Sequence, residues 1–463
     1  MLKLAIPSII GSLIFFFQQS INVYFVSHLN DKGLVSSVGL GNMIQNTFIV
    51  SIITSYNAVL ETFVSQSVGS GNYSICGLYL NRGIVVMTLV FSLCSVVFIW
   101  NCDVILMRLG QDESVIHNTK MFLTYQIPAI YLYGLCDLYR RFICCFKKNT
   151  LPMFSFLIST SLHPFWCQKF VVEQGHGLGG LPVAGLITNA TTFILMQFFW
   201  LCDAQLVATS QASPRLLSHQ TFSSLSSYIS IGVPNMLAQM VSCFCLEQMT
   251  LGAGLLGITQ QASQVILTNM TMFAFMVSYG MQSPGCTLVG QAIGACDIAR
   301  AKGYFWALIY VFSGIVTLEI AVFYTFKDDI VGSLTKFNEM KECITRIFPL
   351  FLTNIIFAGF NGTLRGPIFA LALMKDLTKY NLMFQGLAMP ILSYYFIVRH
   401  HFGMHGIWLA KNIVEFLLCL SYSLKLASIN WHAIAHSFMK KRIADSQVAE
   451  RVTFGGADEQ ARE

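Results

Sequence analysis

A short pattern occurs twice in this chain, and each copy ends a long apolar segment. The first copy, VSQSVGSGNY, covers residues 64–73, and the second, VGQAIGACDI, covers residues 289–298. Two further pairs of segments match at nearly the same spacing: Ala5-Ile6-Pro7 with Gly232-Val233-Pro234, and Gly180 and Asn189 with Gly403 and Asn412. Collinear matches at one spacing indicate that the chain consists of two copies of one unit.

The composition is that of a protein embedded in lipid. Hydrophobic residues make up 55% of the chain and charged residues 11%, whereas soluble domains carry about 25% charged residues. Apolar runs of the length that crosses a bilayer, about 17 to 25 residues or more, are predicted over 3–28, 34–66, 78–101, 120–142, 151–172, 181–207, 227–251, 257–290, 303–326, 345–368, 378–399 and 405–428.

These runs predict an all-α integral membrane protein with twelve transmembrane helices in two six-helix bundles. An even number of spans per copy gives both copies the same orientation, so the bundles should be related by a pseudo-two-fold axis along the membrane normal. The predicted division is an N-terminal bundle over 1–207, a polar cytoplasmic linker over 208–225, a C-terminal bundle over 226–430 and a cytoplasmic tail over 431–463.

Basic residues orient the predicted spans. With the N-terminus in the cytoplasm, most of the 28 Lys and Arg residues fall on the cytoplasmic side, as the positive-inside rule requires. Lys411, near the outer end of the predicted twelfth span, is counted in the smaller external group. The net charge of +6 is explained by this bias and by attraction to anionic lipid, so no nucleic-acid partner is expected.

Ionisable residues at membrane depth are the strongest candidates for function, because a charge in the bilayer normally marks a pathway or a pair. Glu247 in the seventh span has no basic neighbour within one helical turn. A carboxyl without a partner in a dry site favours the protonated form, so Glu247 is the predicted proton-binding group. Asn269 and Asn354 reach a similar depth by the helical rise and are predicted to face the same space.

Other acidic residues carry structural predictions. Asp137 precedes Arg140 and Arg141 at the spacing of a local helical ion pair. Glu61, near the cytoplasmic end of the second span, is expected to pair with basic residues of the linker or to cap helices. Glu319 and Glu415 show no obvious partner in sequence, and His163 is expected to be a buried polar residue with its hydrogen bonds made.

The repeated motifs are predicted to serve as architecture and gate, because both end at the cytoplasmic side. The gate candidates are Gln66, Gly69, Gln291 and Gly294, together with Glu61 and the prolines Pro7 and Pro234. A proline within a span is either a tolerated kink or a bend that opens and closes a cavity.

Several classes of protein are excluded. No Gly-rich segment ends in Gly-Lys-Ser/Thr, so the chain alone does not hydrolyse ATP, and active transport would draw on an ion gradient. No span holds a Ser/His or His/acid set at usable spacing, so an enzyme is not expected. The 14 cysteines lack regular spacing, so no metal site, disulfide framework or cofactor is predicted.

These residues resemble the multidrug and toxic compound extrusion (MATE) family, especially its eukaryotic branch. The strongest stretches are FVSHLNDKGLVSSVGLGNMIQN over 25–46 and AVLETFVSQSVGSGNYSICGLYLNRG over 58–83. The second half is similar through VGQAIGACDIARAKG from Val289, NGTLRG from Asn361 and FGMHGIW from Phe402. The resemblance implies two six-helix bundles around a central V-shaped cavity, and export of organic, often cationic or amphipathic, compounds in exchange for H⁺ or Na⁺.

Eukaryotic members of that family are mainly proton-coupled, and their acidic residue in the seventh span corresponds to Glu247. Many members carry a second acid in the tenth span, where this chain has Asn354, and some animal members carry an acid at Asn269. The chain also has Ser27 in place of the glycine of the FVGHLG signature. With one carboxylate instead of two, this chain is expected to carry fewer protons per cycle, or to couple transport to protons more loosely, than members with both acids.

The resulting expectation is a proton-coupled antiporter that exports xenobiotic compounds by alternating access, with Na⁺ as the alternative ion. Its partners would be a small organic substrate and membrane lipid, it would act as a monomer, and its location would be the plasma membrane or a vacuolar or other internal membrane. The alternatives are a flippase for lipid or lipid-linked precursors and a non-transporting membrane scaffold.

Overall fold

The computed structural model describes residues 1–27, 32–108, 112–175, 177–211, 216, 218–222 and 225–436. The predicted linker at 208–225 and the predicted tail at 431–463 lie partly outside these residues. Every regular element in the described part of the chain is helical.

The first half contains six long helical segments. They are α1 (Leu2–Ser27), α2 (Lys32–Ile44, Gln45–Val50 and Ser51–Gly69), α3 (Tyr73–Cys94 and Ser95–Trp100), α4 (Glu113–Cys145), α5 (Thr150–Cys167 and Gln168–Glu173) and α6 (Gly180–Cys202). Shorter helices cover Cys102–Arg108, Gly177–Gly179, Ala204–Gln211 and His219–Phe222. The π-helical stretches inside α2, α3 and α5 continue the helices without a break.

The second half repeats the pattern. Its long segments are α7 (Leu225–Gly254), α8 (Ile258–Gly294), α9 (Ile298–Thr325), α10 (Asn338–Ala370), α11 (Met374–Asn381, Leu382–Ala388, Met389–Tyr394 and Tyr395–Arg399) and α12 (Gly403–Ser428). A short helix covers Lys327–Leu334. Each long segment coincides with one predicted span.

Length and apolar composition agree with a membrane location. Nine helices among the described residues are long and apolar enough to cross a membrane on those two criteria. The other three, α4, α5 and α8, carry more polar residues but are long enough to span by the helical rise. Large apolar side chains such as Leu93, Leu201 and Leu318 are exposed, as expected of surfaces that face lipid.

Two large apolar cores correspond to the two halves. One joins buried residues between Ile44 and Leu206, and Tyr228 of α7 packs against it. The other runs mainly from Ala238 to Trp431. The halves also exchange contacts, since α1 packs against α8 and α7 packs against α2.

The duplication extends to local geometry. Asn189 donates its side-chain amide to the carbonyl of Ala129, and Asn412 donates in the same way to Leu350, at 2.9 Å in both cases. The turns that follow α2 and α8 contain Gly71 and Cys296 at φ 74° and 59°. Positive φ at equivalent turns shows that the two copies leave their helices with the same backbone.

The prediction of an external Lys411 was wrong. Lys411 lies inside α12 and is buried, because its ammonium pairs with the Glu415 carboxylate one turn later. Pro7 and Pro234 lie within α1 and α7, which continue through them. The Thr378 hydroxyl donates to the carbonyl of Pro234, so a neighbouring helix binds a backbone oxygen at the proline.

Candidate functional site

The two repeated motifs meet at one end of the molecule, which we call the inner end and which is the predicted cytoplasmic end. There α2 of the first half packs directly against α8 of the second. We call this contact the inner closure, and its equivalent residues are Thr62, Gln66 and Gly69 on α2 and Thr287, Gln291 and Gly294 on α8.

Side-chain amides join the two halves across the inner closure. Gln66 Nε2 donates to the carbonyl oxygen of Ala370 at 2.8 Å, and Gln291 Nε2 donates to that of Cys145 at 2.7 Å. The two donors, Gln66 and Gln291, are 225 residues apart in the chain, and so are the two acceptors, Cys145 and Ala370. The two hydrogen bonds are therefore one interaction made twice, as expected at a pseudo-two-fold axis.

Hydroxyl groups repeat the arrangement one turn deeper. Thr62 Oγ1 donates to the carbonyl of Phe369 at 2.9 Å, and Thr287 Oγ1 donates to that of Cys144 at 3.5 Å. The acceptors lie in the last turns of α10 and α4, where the Phe369 and Cys144 carbonyls also accept the backbone N–H of Ala372 and Lys147 at 3.0 and 2.9 Å. Each half thus supplies side-chain donors to helix ends of the other half.

Two glycines allow the close approach of α2 and α8. A Cβ on Gly69 would lie 2.0 Å from the carbonyl oxygen of Gln291, and a Cβ on Gly294 would lie 2.0 Å from that of Gln66. Backbone atoms at these distances leave no room for a side chain. The architectural and gate roles predicted for these positions stay predictions.

A buried charge cluster lies beneath the inner closure. Arg141 donates to the Glu61 carboxylate at 3.0 Å and to the Asp137 carboxylate at 2.9 Å, and Arg140 pairs with Asp137 at 2.7 Å. Arg141 also donates to the hydroxyl of Tyr279 on α8 at 3.1 Å. The local pairing predicted for Asp137 is present, and Glu61 pairs with a base of its own bundle.

The predicted coupling residue, Glu247, lies on α7 and is half-buried. Seven residues separate it from Gly254, so the helical rise places it about 10 Å from the outer end of α7. Its carboxylate makes no hydrogen bond or ion pair with any residue that the structure describes. An uncompensated carboxyl at this depth can exchange a proton or attract a cation.

The two asparagines predicted to accompany Glu247 occupy different surroundings. Asn269 on α8 is exposed, whereas Asn354 on α10 is 1% exposed. Both amide atoms of Asn354 are buried without a hydrogen-bond partner in the described part of the chain. All three residues lie in the C-terminal half, and no hydrogen bond connects any two of them.

A second polar cluster fills the C-terminal half. Lys411 Nζ lies 2.6 Å from Glu415 Oε1, and Asn361 Nδ2 donates to Glu415 Oε2 at 2.6 Å. Gln385 on α11 also donates to Glu415, at 3.2 Å. Glu415 therefore has partners, contrary to the sequence interpretation, while Glu319 keeps a buried oxygen without a partner among the described residues.

Arg365 connects this cluster to α7. Its guanidinium donates to Gln239 Oε1 at 3.0 Å and to Ser242 Oγ at 3.2 Å, and Ser242 in turn donates to Gln385 at 2.7 Å. In the N-terminal half, Thr188 and Thr192 occupy the positions 223 residues before Lys411 and Glu415, so hydroxyls replace that ion pair. There His163 contacts Thr188 at 2.8 Å and Asn22 at 2.7 Å, so the expected satisfied histidine is present.

Replacing Lys411 by methionine should lower stability strongly, because it leaves the Glu415 carboxylate buried and uncompensated. The expected loss is about 3–5 kcal/mol, measured by thermal unfolding in detergent. The double variant Lys411→Met/Glu415→Gln should recover much of the loss, since the remaining amide is neutral.

Lys425→Met is the matched control on the same helix. Its ion pair with Asp376 is about one-third exposed, so the expected cost is under about 1 kcal/mol. Equal losses for Lys411→Met and Lys425→Met would contradict the role given to the buried pair.

Sequence reasoning missed Lys411, Arg365, Thr62 and Thr287. A usable signal existed for Lys411, since Lys-x-x-x-Glu is the spacing of a helical ion pair. The threonines could have been found by extending the 225-residue offset upstream of each motif. No sequence signal indicates that Arg365 reaches Gln239 on another helix.

Comparison with known proteins agrees with this architecture. The family model MatE matches residues 7–167 and 234–394, one copy in each half. The structure is similar to that of the eukaryotic MATE transporter AtDTX14, with TM-score 0.87, 18% identity and coverage of 95% and 97% of the two chains. It is also similar to a MATE transporter of Vibrio cholerae, with TM-score 0.81, 17% identity and coverage of 93% and 97%.

Curated relatives give the same result. Multidrug and toxin extrusion protein 2 of Mus musculus is 22% identical over 94% of this chain and 75% of its own length. Protein DETOXIFICATION 16 of Arabidopsis thaliana is 25% identical over 64% of this chain and 60% of its own length. Because the family model covers both halves of a twelve-helix, two-bundle fold, the chain belongs to the MatE family, whose members are multi-pass membrane transporters and not enzymes.

Proposed function

We propose that this protein is a secondary antiporter that exports small organic cations or amphipathic compounds in exchange for protons. The observation that carries the proposal is Glu247, a half-buried carboxylate in a membrane span with no compensating partner among the described residues. A single carboxyl of this kind can hold either a proton or a cationic substrate, but not both. Competition for one site is the simplest basis of exchange.

The inner closure supplies the second element of such a cycle. The hydrogen bonds of Gln66 and Gln291 connect one half to the other and must break if the inner end opens. A transporter alternates between two such states, and a ligand shifts them only through its different affinity for each. We propose that the closed inner end represents the outward-facing state, in which Glu247 exchanges substrate for a proton.

Names of relatives support the substrate class. The mouse relative is named for extrusion of multiple drugs and toxins, and the plant relatives are named for detoxification. Asn354 stands where the resemblance leads one to expect a second acid, which supports transport with one carboxyl per cycle. We propose H⁺ as the coupling ion, because a lone carboxyl can bind a proton without the further oxygen ligands that Na⁺ needs.

Glu247→Gln should abolish pH-gradient-driven efflux of ethidium from proteoliposomes, since glutamine keeps the shape of the side chain but cannot exchange a proton. The measurement is the rate of ethidium loss after an imposed pH gradient, together with proton flux recorded by an internal pH dye. Substrate-stimulated proton flux should disappear as well.

Glu319→Gln is the matched control, because Glu319 is another membrane-embedded carboxyl, on α9, and receives the same substitution. Coupled efflux should persist in this variant. Unchanged efflux in Glu247→Gln, with normal thermal unfolding, would refute the proposal. If a Na⁺ gradient, and not a pH gradient, drove efflux by the unmodified protein, only the choice of H⁺ as the coupling ion would be refuted.

A further inference from the structure

A cavity at the inner end lies across the boundary between the two halves. We call it the inner cavity; its volume is about 300 Å³. Lys147, Phe146, Tyr73 and Gln205 line it from the first half, and Arg300 and Tyr304 from the second. Gly69 and Gln291 of the inner closure form part of its wall. A group bound here would touch both halves at once.

Two basic side chains, Lys147 and Arg300, line the inner cavity. Lys147 and Arg300 form no ion pair with any residue that the structure describes. Asp203 pairs with Lys148, the chain neighbour of Lys147, at 2.6 Å, and Asp297, three residues before Arg300, accepts the backbone N–H of Arg300 at 2.9 Å. Among the described residues, the two cations of the cavity therefore have only the Asp297 carboxylate close by, which compensates their charge in part.

The aromatic residues give the cavity ordered walls. Arg300 donates to the Tyr304 hydroxyl at 3.0 Å and lies over its ring at 5.5 Å, which orients the guanidinium. Tyr73 and Phe146 stack at 6.3 Å between ring centroids. A planar guanidinium held in this way is suited to a phosphate group.

The duplication provides an internal comparison. At the 225-residue offset, Lys147 corresponds to Ala372 and Arg300 corresponds to Ile75. Lys147 and Ala372 even share a left-handed backbone, with φ 63° and 55°. The two copies therefore repeat the backbone of this turn, but only one copy has basic residues at both places.

We propose that the inner cavity binds a phosphate-bearing anion, either a phosphoinositide headgroup or the corresponding soluble inositol phosphate, and that the anion holds the inner end closed. A volume near the lower limit of ligand pockets, about 300 Å³, suits a headgroup-sized anion. Basic sites at the cytoplasmic membrane surface recognise such groups. An organic cation is disfavoured here, so the inner cavity is separate from the site of Glu247.

Binding is measured by thermophoresis with the protein in neutral phosphatidylcholine nanodiscs. The probes are dioctanoyl phosphatidylinositol 4-phosphate, inositol 1,4-bisphosphate as its soluble headgroup, and uncharged inositol. The variants Lys147→Ala and Arg300→Ile install the residues of the other copy. We expect each to weaken binding about fivefold and both together about 25-fold, the change given by about 1 kcal/mol per basic side chain.

Lys302→Ala is the matched control, because Lys302 is exposed two residues from Arg300 and does not line the inner cavity. It should bind both phosphate probes as the unmodified protein does. Tighter binding of the lipid assigns the site to a headgroup, and equal binding of the soluble probe assigns it to a free anion. Binding of inositol as strong as that of the charged probes, or binding by the double variant within about twofold of the unmodified protein, would overturn the proposal.

Closure of the inner end has its own readout. Cys145 is buried at the inner closure, so its maleimide labelling, followed by peptide mass spectrometry, should slow when inositol 1,4-bisphosphate is added. Glu247→Gln should keep the binding, which separates this proposal from the proposed coupling role. Labelling of Cys145 that is independent of the bound probe would contradict the bridging of the two halves.

Discussion

Replacing Gly69 or Gly294 by alanine should hold the inner end open and reduce transport about tenfold or more. A single Cβ at either position would lie 2.0 Å from a carbonyl oxygen of the opposing helix, and a backbone atom cannot rotate away. Overpacking of this kind costs about 1–3 kcal/mol, which is roughly a 5- to 150-fold change in the equilibrium between closed and open states.

Two measurements test this expectation. Ethidium efflux from proteoliposomes gives the transport rate, and maleimide labelling of Cys145 gives access to the inner closure, where that cysteine is fully buried. Labelling should accelerate in both glycine variants. The cost should appear in the closed state alone, so thermal unfolding should change less than labelling.

Gly314→Ala is the control for this series. Gly314 lies on α9, and a Cβ there would meet no atom within 4 Å. Alanine should be neutral or slightly stabilising at this site, because it reduces the freedom of the unfolded chain. If Gly69→Ala behaved like Gly314→Ala in both measurements, the close contact of α2 and α8 would not be part of the transport cycle.

Replacing Arg141 by methionine should be among the most destabilising single changes in the protein. The guanidinium is shared by two buried carboxylates, Glu61 and Asp137, whose side chains are 0% and 4% exposed. Its removal leaves negative charge in a dry site, for which the expected loss is about 3–5 kcal/mol. Thermal unfolding in detergent measures the loss.

Arg346→Met is the comparison variant, since its ion pair with Glu342 is about two-thirds exposed and should contribute under about 1 kcal/mol. Tyr279→Phe separates the ion pairs of Arg141 within the first half from its hydrogen bond to the second half. It removes only the hydroxyl that accepts from Arg141 across the two halves, so it should accelerate Cys145 labelling with little effect on unfolding. A small loss of stability in Arg141→Met would show that the buried charge cluster contributes little to folding.

The helices were predictable because their signals are local. Each span is a long apolar run, and in lipid the backbone must satisfy its own hydrogen bonds, so such a run becomes a helix. The repeat of Gln66 and Gly69 at Gln291 and Gly294 identified two equivalent units. The isolated carboxyl of Glu247 was found because it lacked a basic neighbour within one turn of its own helix.

Partners across helices were not predictable in the same way. Periodicity does not determine how a helix is rotated about its axis, so the sequence could not show that Asn354 is buried without a hydrogen bond while Asn269 is exposed. It also placed Lys411 outside, because a basic residue near a span end is normally a loop residue. Burial of Lys411 follows from its partner Glu415 and from Asn361 on α10.

The sequence by itself determined the class of this protein, the number and order of its spans, the duplication and one intramembrane carboxyl, because those properties depend on apolar length, periodicity and local neighbours. The tertiary structure decided which equivalent residues meet. Gln66 and Gln291 each bind a carbonyl of the opposite half, and Lys147 and Arg300 share a cavity at that boundary. Such contacts depend on packing two bundles against each other, a relation between residues more than a hundred positions apart that no local pattern records.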